Sequence, residues 1–172
     1  MHQLLLLRHA KADAAATDRD RPLSAAGRRA AAMMRGVMRD LGLAPDLVLV
    51  SDARRTMETL EALEPWDDTP LIEPLAALYL ADARQLLVAI RDVAETVRGV
   101  LLIGHNPGLE ELAVVLASGA GGELAAARRL REGFPTAALV EFSAAGRWSG
   151  LDAHHARLSR LIRPRDLPGY SP

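Results

Sequence analysis

The sequence predicts an α/β fold, a three-layer sandwich with a mostly parallel central sheet, on three observations. Residues 4–7, 47–50 and 100–103 are short unbroken apolar runs of the kind that form strands buried on both faces. Between them lie segments whose apolar residues recur at helical spacing. No shift in composition and no internal repeat divides the 172 residues, so the alternation implies one domain, expected over 1–163 with a C-terminal tail at 164–172.

Taken in order, the first strand covers about residues 3 to 7 and gives way to a polar, alanine-rich loop. Ser24 is the expected N-cap of a helix whose core face is Ala30, Ala31, Met34, Val37, Met38 and Leu41, with Gly42 as its stop. Pro45 and Asp46 open the second strand, which ends at Ser51. Thr56, Thr59, Leu60 and Leu63 then mark a helix beginning near Asp52, with Ser51 or Asp52 as cap and Arg55 in its first turn.

Leu71 and Ile72 form a weaker strand candidate. Asp82 with Gln85 makes a capping box ahead of Leu86, Leu87, Ile90, Val93, Ala94 and Val97. After the strand at 100–103, Pro107 suits the first turn of a helix carrying Leu109, Leu112, Ala113 and Leu116 inward. The glycine-rich stretch 118–122 lacks the Lys-Ser/Thr pair of a phosphate-binding loop and reads as a helix end plus loop. A short helix near 123–131, two late strands at 136–142 and 157–162, and a frayed end from Pro164 complete the chain.

Composition narrows the classes of function. With no Cys there is neither a thiol nucleophile nor a zinc-thiolate site. A net charge of -1 argues against a general nucleic-acid or anionic-membrane surface. No apolar run approaches the ~20 residues of a membrane span. The protein is expected to be cytoplasmic, with no nucleic-acid or membrane partner.

The chemistry concentrates at strand ends, where open α/β sheets place their ligands. The first strand releases Arg8 and His9 without a spacer, the second leads through Ser51 to Arg54 and Arg55, and the third leads to His105 and Asn106. Arg8, His9, Arg55 and His105 together would surround a phosphoryl group with two permanent cations and two imidazoles. Arginine offers paired donors to phosphate oxygens and stays charged at any working pH. His9 is the best nucleophile candidate, because no Ser occupies a Gly-x-Ser-x-Gly elbow. One of its ring nitrogens must present a lone pair while the other is held as a donor, as by a backbone carbonyl. Arg21, Ser51 and Asn106 are candidate substrate contacts, Arg21 standing even between that role and an ion pair with Asp18 or Asp20. No carboxylate cluster suggests a metal site, and no cofactor is expected.

Leu-Arg-His-Ala, Asp-Arg-Pro-Leu-Ser, Val-Ser-Asp-Ala-Arg-Arg-Thr-Met-Glu-Thr, Ile-Gly-His-Asn-Pro-Gly-Leu-Glu and Phe134-Pro135-Thr136 follow one another in an order and spacing that resembles the histidine phosphatase superfamily, the phosphoglycerate mutase-like fold. More narrowly, the chain resembles the short bacterial SixA-type phosphohistidine phosphatases. The resemblance implies that His9 is transiently phosphorylated, that Arg8, Arg55 and His105 bind the phosphoryl group, and that Arg55 rather than Arg54 is the matching arginine. It implies a phosphatase needing no metal, acting on protein phosphohistidine; the alternatives are a small phosphorylated metabolite as substrate, or a module that only binds phosphoproteins. Two departures stand out. Ala10 replaces a common Gly, and Leu80 lies where many members carry a Glu general acid, leaving Asp82 or Glu73 as candidates for that role.

Overall fold

Leu4 to Leu7 are all buried because the two faces of their strand serve two different cores. In the computed structural model, which describes residues 1–119 and 121–172, β1 (His2–Arg8) sends Leu4 and Leu6 into one apolar cluster and Leu5 and Leu7 into the other. Side chains alternate along a strand, so an unbroken apolar run is what a central strand covered on both sides requires.

The elements follow as α1 (Ala25–Asp40), β2 (Leu47–Ser51), α2 (Arg54–Ala62), β3 (Leu71–Leu75), α3 (Ala83–Arg91), β4 (Gly99–Gly104), α4 (Gly108–Ala117), α5 (Leu124–Arg131), β5 (Leu139–Ala144) and β6 (Ala156–Ile162). One six-stranded sheet has the order β3-β2-β4-β1-β5-β6. β3, β2, β4 and β1 run parallel, while β5 and β6 are antiparallel additions at one edge. Met34, Met38 and Leu60 from α1 and α2 cover one face. Leu86, Ile90, Leu109, Leu112 and Leu130 from α3, α4 and α5 cover the other. The three-layer, mostly parallel sandwich expected from the sequence is present.

Register brings the functional ends level. Arg8 pairs with Gly104 across β1 and β4, and Val50 pairs with Ile103 across β2 and β4. His9, Ser51 and His105 are therefore neighbours at one end of the sheet, at the carboxyl ends of three adjacent strands.

Several local expectations need correction. α2 is not capped by Ser51 or Asp52: its N-cap is Ala53, whose methyl group cannot make a cap bond, and Asp52 pairs with Arg19 instead. The weak strand at Leu71 runs on to Leu75 and carries Pro74, tolerated because β3 is an edge strand. β5 starts at Leu139, later than expected. The end from Pro164 holds a 3-10 turn (Pro164–Asp166), and Arg163 before it bonds Asp166 at 2.7 Å and Glu132 at 3.0 Å. Of the glycine-rich stretch, Ala120 lies outside the described residues. Among the described residues, no helix is long and apolar enough to cross a membrane.

Candidate active site

The loop leaving β1 is held from three sides before any side chain acts. The backbone N–H of His9 donates to Gly104 at 3.1 Å, and that of Ala10 to Oγ1 of Thr59 at 3.0 Å. The N–H of Ser24 donates to the carbonyl of Lys11 at 2.8 Å. Gly27 makes this fit possible, since a Cβ there would stand 2.1 Å from the Lys11 carbonyl oxygen. Ala10 is fully buried and does not have a positive φ, so the absence of a glycine strains nothing.

His9 is buried, and its Nδ1 lies 2.7 Å from the carbonyl oxygen of Ala10. That carbonyl can only accept, so Nδ1 carries the proton and Nε2 presents its lone pair. The Nε–H of Arg55 donates to that lone pair at 3.3 Å. Burial pushes the His9 pKa down to about 4, with Arg55, Arg8 and Arg21 adding to the effect. The ring is neutral at physiological pH, as a nucleophile must be.

His105 lies with its ring centroid 5.4 Å from that of His9. Its Nδ1 accepts from Nη2 of Arg55 at 3.3 Å, and its Nε2 is 2.8 Å from Oγ of Ser51. Burial, then His9 and Arg55, hold its pKa down to about 3. Ser51 is fully buried beneath the ring. It therefore positions His105, and the substrate contact expected of it is not what the geometry offers.

Arg8 donates to the carbonyl of Phe134 at 3.1 Å, while its Nε is buried without a partner. Asn106 is a strut: its amide nitrogen donates to Glu110 at 3.0 Å and to Phe134 at 2.9 Å, and its Oδ1 accepts from the Glu110 N–H at 3.3 Å. No amide hydrogen remains for a substrate. Arg21 bonds the carbonyl of Asp13 at 3.0 Å and Asp18 at 3.3 Å, which favours the ion-pair alternative for it. Arg54 pairs with Glu58 at 2.7 Å on the surface.

Neither candidate acid joins the cluster. Asp82 caps α3, its carboxylate accepting from the Gln85 N–H at 2.8 Å and its own N–H donating to Gln85 at 2.9 Å. Glu73 is exposed on the edge strand β3, and both line a groove on the α3 side. Leu80 is 55% exposed and carries no proton to give.

Two participants escaped the sequence reading. Asp18 accepts from Nη2 of Arg55 at 3.1 Å through its carboxylate and from Nη1 at 2.7 Å through its carbonyl. Tyr79 donates its hydroxyl to Asp18, sets its ring edge-on to His105 at 5.5 Å, and carries the Arg19 guanidinium 4.3 Å above its face. The Tyr79 hydrogen bond, followed by Arg55 and Arg21 and opposed by partial burial, leaves the Asp18 pKa at about 2. The sequence offers Asp18, two residues ahead of Asp20-Arg21-Pro22-Leu23, only as an ion-pair partner for Arg21, and a lone Tyr between two leucines gives no signal. Among the described residues, no group of three or more His, Asp or Glu could hold a metal ion.

Comparisons with known proteins bear on the family and the fold. A sequence profile of the histidine phosphatase superfamily, branch 1, matches residues 4–74. An uncharacterised protein of Mycobacterium tuberculosis is 36% identical over 162 residues, which cover 92% of this chain and all of that protein. Among solved structures, a candidate SixA phosphohistidine phosphatase from Agrobacterium tumefaciens is 30% identical with a TM-score of 0.80, the match covering 95% of this chain and 98% of the other. A second candidate SixA protein, from Nakamurella, is 28% identical with a TM-score of 0.84, covering 95% of this chain and 96% of that one.

Proposed function

Because the chain belongs to the histidine phosphatase superfamily, we propose that it removes phosphoryl groups from protein histidine through a covalent intermediate on His9. The observation that carries this reading is the fixed tautomer of His9, with Nδ1 on the Ala10 carbonyl and Nε2 facing Arg55. Binding alone needs no aimed lone pair.

In the first step Arg55 turns from Nε2 of His9 to a phosphoryl oxygen, and the freed lone pair forms the new N–P bond as the substrate's bond to phosphorus breaks. Arg8 and Arg55 hold charge on the phosphoryl oxygens, the electrostatic work that dominates phosphoryl transfer. In the second step water attacks phosphorus, phosphate leaves and His9 recovers its lone pair. The carboxylate bound to Arg55 is Asp18, ionised at any working pH and so unable to protonate an alkoxide. An alkoxide needs that proton badly, because water, its close analogue, has a pKa of about 15.7. An imidazole leaving group needs far less help, and transfer from one histidine to another exchanges one P–N bond for another.

Rapid mixing with a labelled phosphohistidine protein, quenched in base, tests the reading. Acid-labile, base-stable label is expected on His9, with kcat/KM well above that for alkyl phosphates. Comparable values for the two substrate classes would favour a small-molecule phosphomonoesterase, and no turnover of either would favour a binding module.

A further inference from the structure

A carboxylate at a phosphoryl site repels the dianion, so Asp18 calls for a positive reason to be there. Its side chain is 47% exposed while that of Arg55 beneath it is 3% exposed. His9, His105 and Ser51 are buried and form the floor. In-line attack by Nε2 of His9 puts the leaving atom on the side of phosphorus away from His9, and the exposed Asp18 and half-buried Tyr79 are joined to the buried cluster through Arg55 and His105. Oδ2 of Asp18 is occupied by Arg55 and Tyr79, whereas Oδ1 holds a single contact, to Arg21 at 3.3 Å. With the side chain half exposed, that oxygen has room to accept one more donor.

We propose that Asp18 accepts the N–H of the departing imidazole and thereby keeps bound phosphohistidine in its protonated, cleavable form. The inference rests on the phosphohistidine reading above. When the substrate ring carries a proton on the nitrogen not joined to phosphorus, the P–N electron pair returns to the ring and neutral imidazole departs; His9 supplies the pair for the new bond. Without that proton the ring would leave as an anion. The groups facing the ring are the cations Arg8, Arg19, Arg21 and Arg55, with His9, His105 and Tyr79 neutral, Asp52 paired to Arg19, and Glu110 behind Arg8. These cations disfavour a protonated ring, and Asp18 is the negative group placed to counter them. An alkyl phosphate has no such N–H, so Asp18 acts on it only through Arg55. Asp18 is then a specificity-determining residue as well as a brace for Arg55.

The test compares Asp18→Asn and Asp18→Glu with the unaltered protein, measuring kcat against pH on a phosphohistidine protein and on p-nitrophenyl phosphate, whose leaving group needs no proton. Asp18→Asn is expected to lower kcat for phosphohistidine by about tenfold above neutral pH and to move its alkaline limb down by about one pH unit. Hydrolysis of p-nitrophenyl phosphate should fall only by the share that Asp18 contributes through Arg55, less than for phosphohistidine and with an unmoved alkaline limb, and Asp18→Glu should restore part of the phosphohistidine loss. Equal losses on both substrates with an unmoved limb would overturn the inference and leave Asp18 as a brace for Arg55 alone. An unaltered protein that hydrolyses the aryl ester but not phosphohistidine would instead overturn the substrate reading.

Discussion

Arg55 and His9 meet through the two groups that the reaction must separate: the Nε–H of Arg55 donates at 3.3 Å to the Nε2 lone pair that has to reach phosphorus. The same guanidinium holds His105 at 3.3 Å and the Asp18 carbonyl at 2.7 Å. Arg55 is thus a hub whose planar fork sets three partners at once, a geometry that a single ammonium cannot reproduce. Arg55→Lys is expected to lower kcat/KM by about 10²-fold or more, comparable with losing a donor that stabilises transition-state charge. His9→Ala should abolish both turnover and label trapping. Steady-state kinetics on both variants checks this, and an Arg55→Lys enzyme within a few-fold of the unaltered one would show that charge alone suffices.

Stability should fall in mild acid. His9 and His105 both have pKa values well below 6.5, at about 4 and about 3. Between pH 6.5 and those values the unfolded chain takes up protons that the folded chain refuses, so stability rises with pH across that window and is lost as pH falls through it. At about 1.4 kcal/mol per pKa unit, the combined effect is on the order of a few kcal/mol. Phosphate or sulfate should oppose the loss, because an anion between the two rings favours their charged forms. Thermal melts from pH 7 to 4, with and without added phosphate, measure both effects. The acid limb of kcat/KM assigned to His9 should likewise lie nearer pH 4 than 6.5.

Activity is expected to survive dialysis against EDTA. Arg8 and Arg55 supply the positive charge, and the residues around His9 offer two imidazoles and one carboxylate already bonded to Arg55 and Tyr79. Loss of activity that returns with Mg²⁺ would count against this arrangement.

Much of the fold was legible because it rests on patterns that local sequence carries. The run from Leu4 to Leu7 announced a strand covered on both faces, and Ser24 and Asp82 announced helix starts through caps that the structure contains. The four residues proposed to surround the phosphoryl group were legible because each lies at the end of a buried strand or within a few residues of it. What escaped depends on contacts far apart in sequence. Tyr79 reaches Asp18 across 61 positions, and Ser51 meets His105 across 54, so neither pairing leaves a local trace. Asn106 misled for the opposite reason: its position beside His105 suggests a ligand, while the Phe134 carbonyl that occupies it comes from another loop.

Ser51→Ala is expected to affect stability and catalysis together. The hydroxyl, 2.8 Å from Nε2 of His105, can accept a proton from that nitrogen or donate one to it. It therefore supports the ring both as it stands against Arg55 and with the proton on Nδ1, the form that donates to a phosphoryl oxygen. Alanine would leave a buried ring nitrogen unpaired, at a cost of about 1–3 kcal/mol. A drop in kcat larger than the rise in KM is expected, since the tautomer matters most when charge builds on phosphorus. Ser51→Thr, which keeps the hydroxyl, should recover part of it.

Asp82 and Glu73 are the two carboxylates that the sequence offers as a proton source for an ester leaving group, and variants at both are expected to be catalytically silent. Asp82 is held by a reciprocal pair of bonds with Gln85, and Glu73 lies on the far edge strand. The choice of substitution separates structure from chemistry. Asn caps a helix about as well as Asp, so Asp82→Asn should change neither melting temperature nor rate, whereas Asp82→Ala should cost about 1 kcal/mol of stability with kcat intact. Glu73→Gln on the exposed edge should be neutral in both measurements. The informative assay is kcat/KM on a series of phosphate esters with progressively poorer leaving groups. Without a general acid, the rate should fall steeply as the leaving group becomes more basic, with the same slope in all three variants. General acids typically contribute about 10²- to 10⁴-fold, so a shallow slope that steepens only in Asp82→Asn would identify Asp82 as the acid after all and shift the preferred substrate toward small phosphate esters.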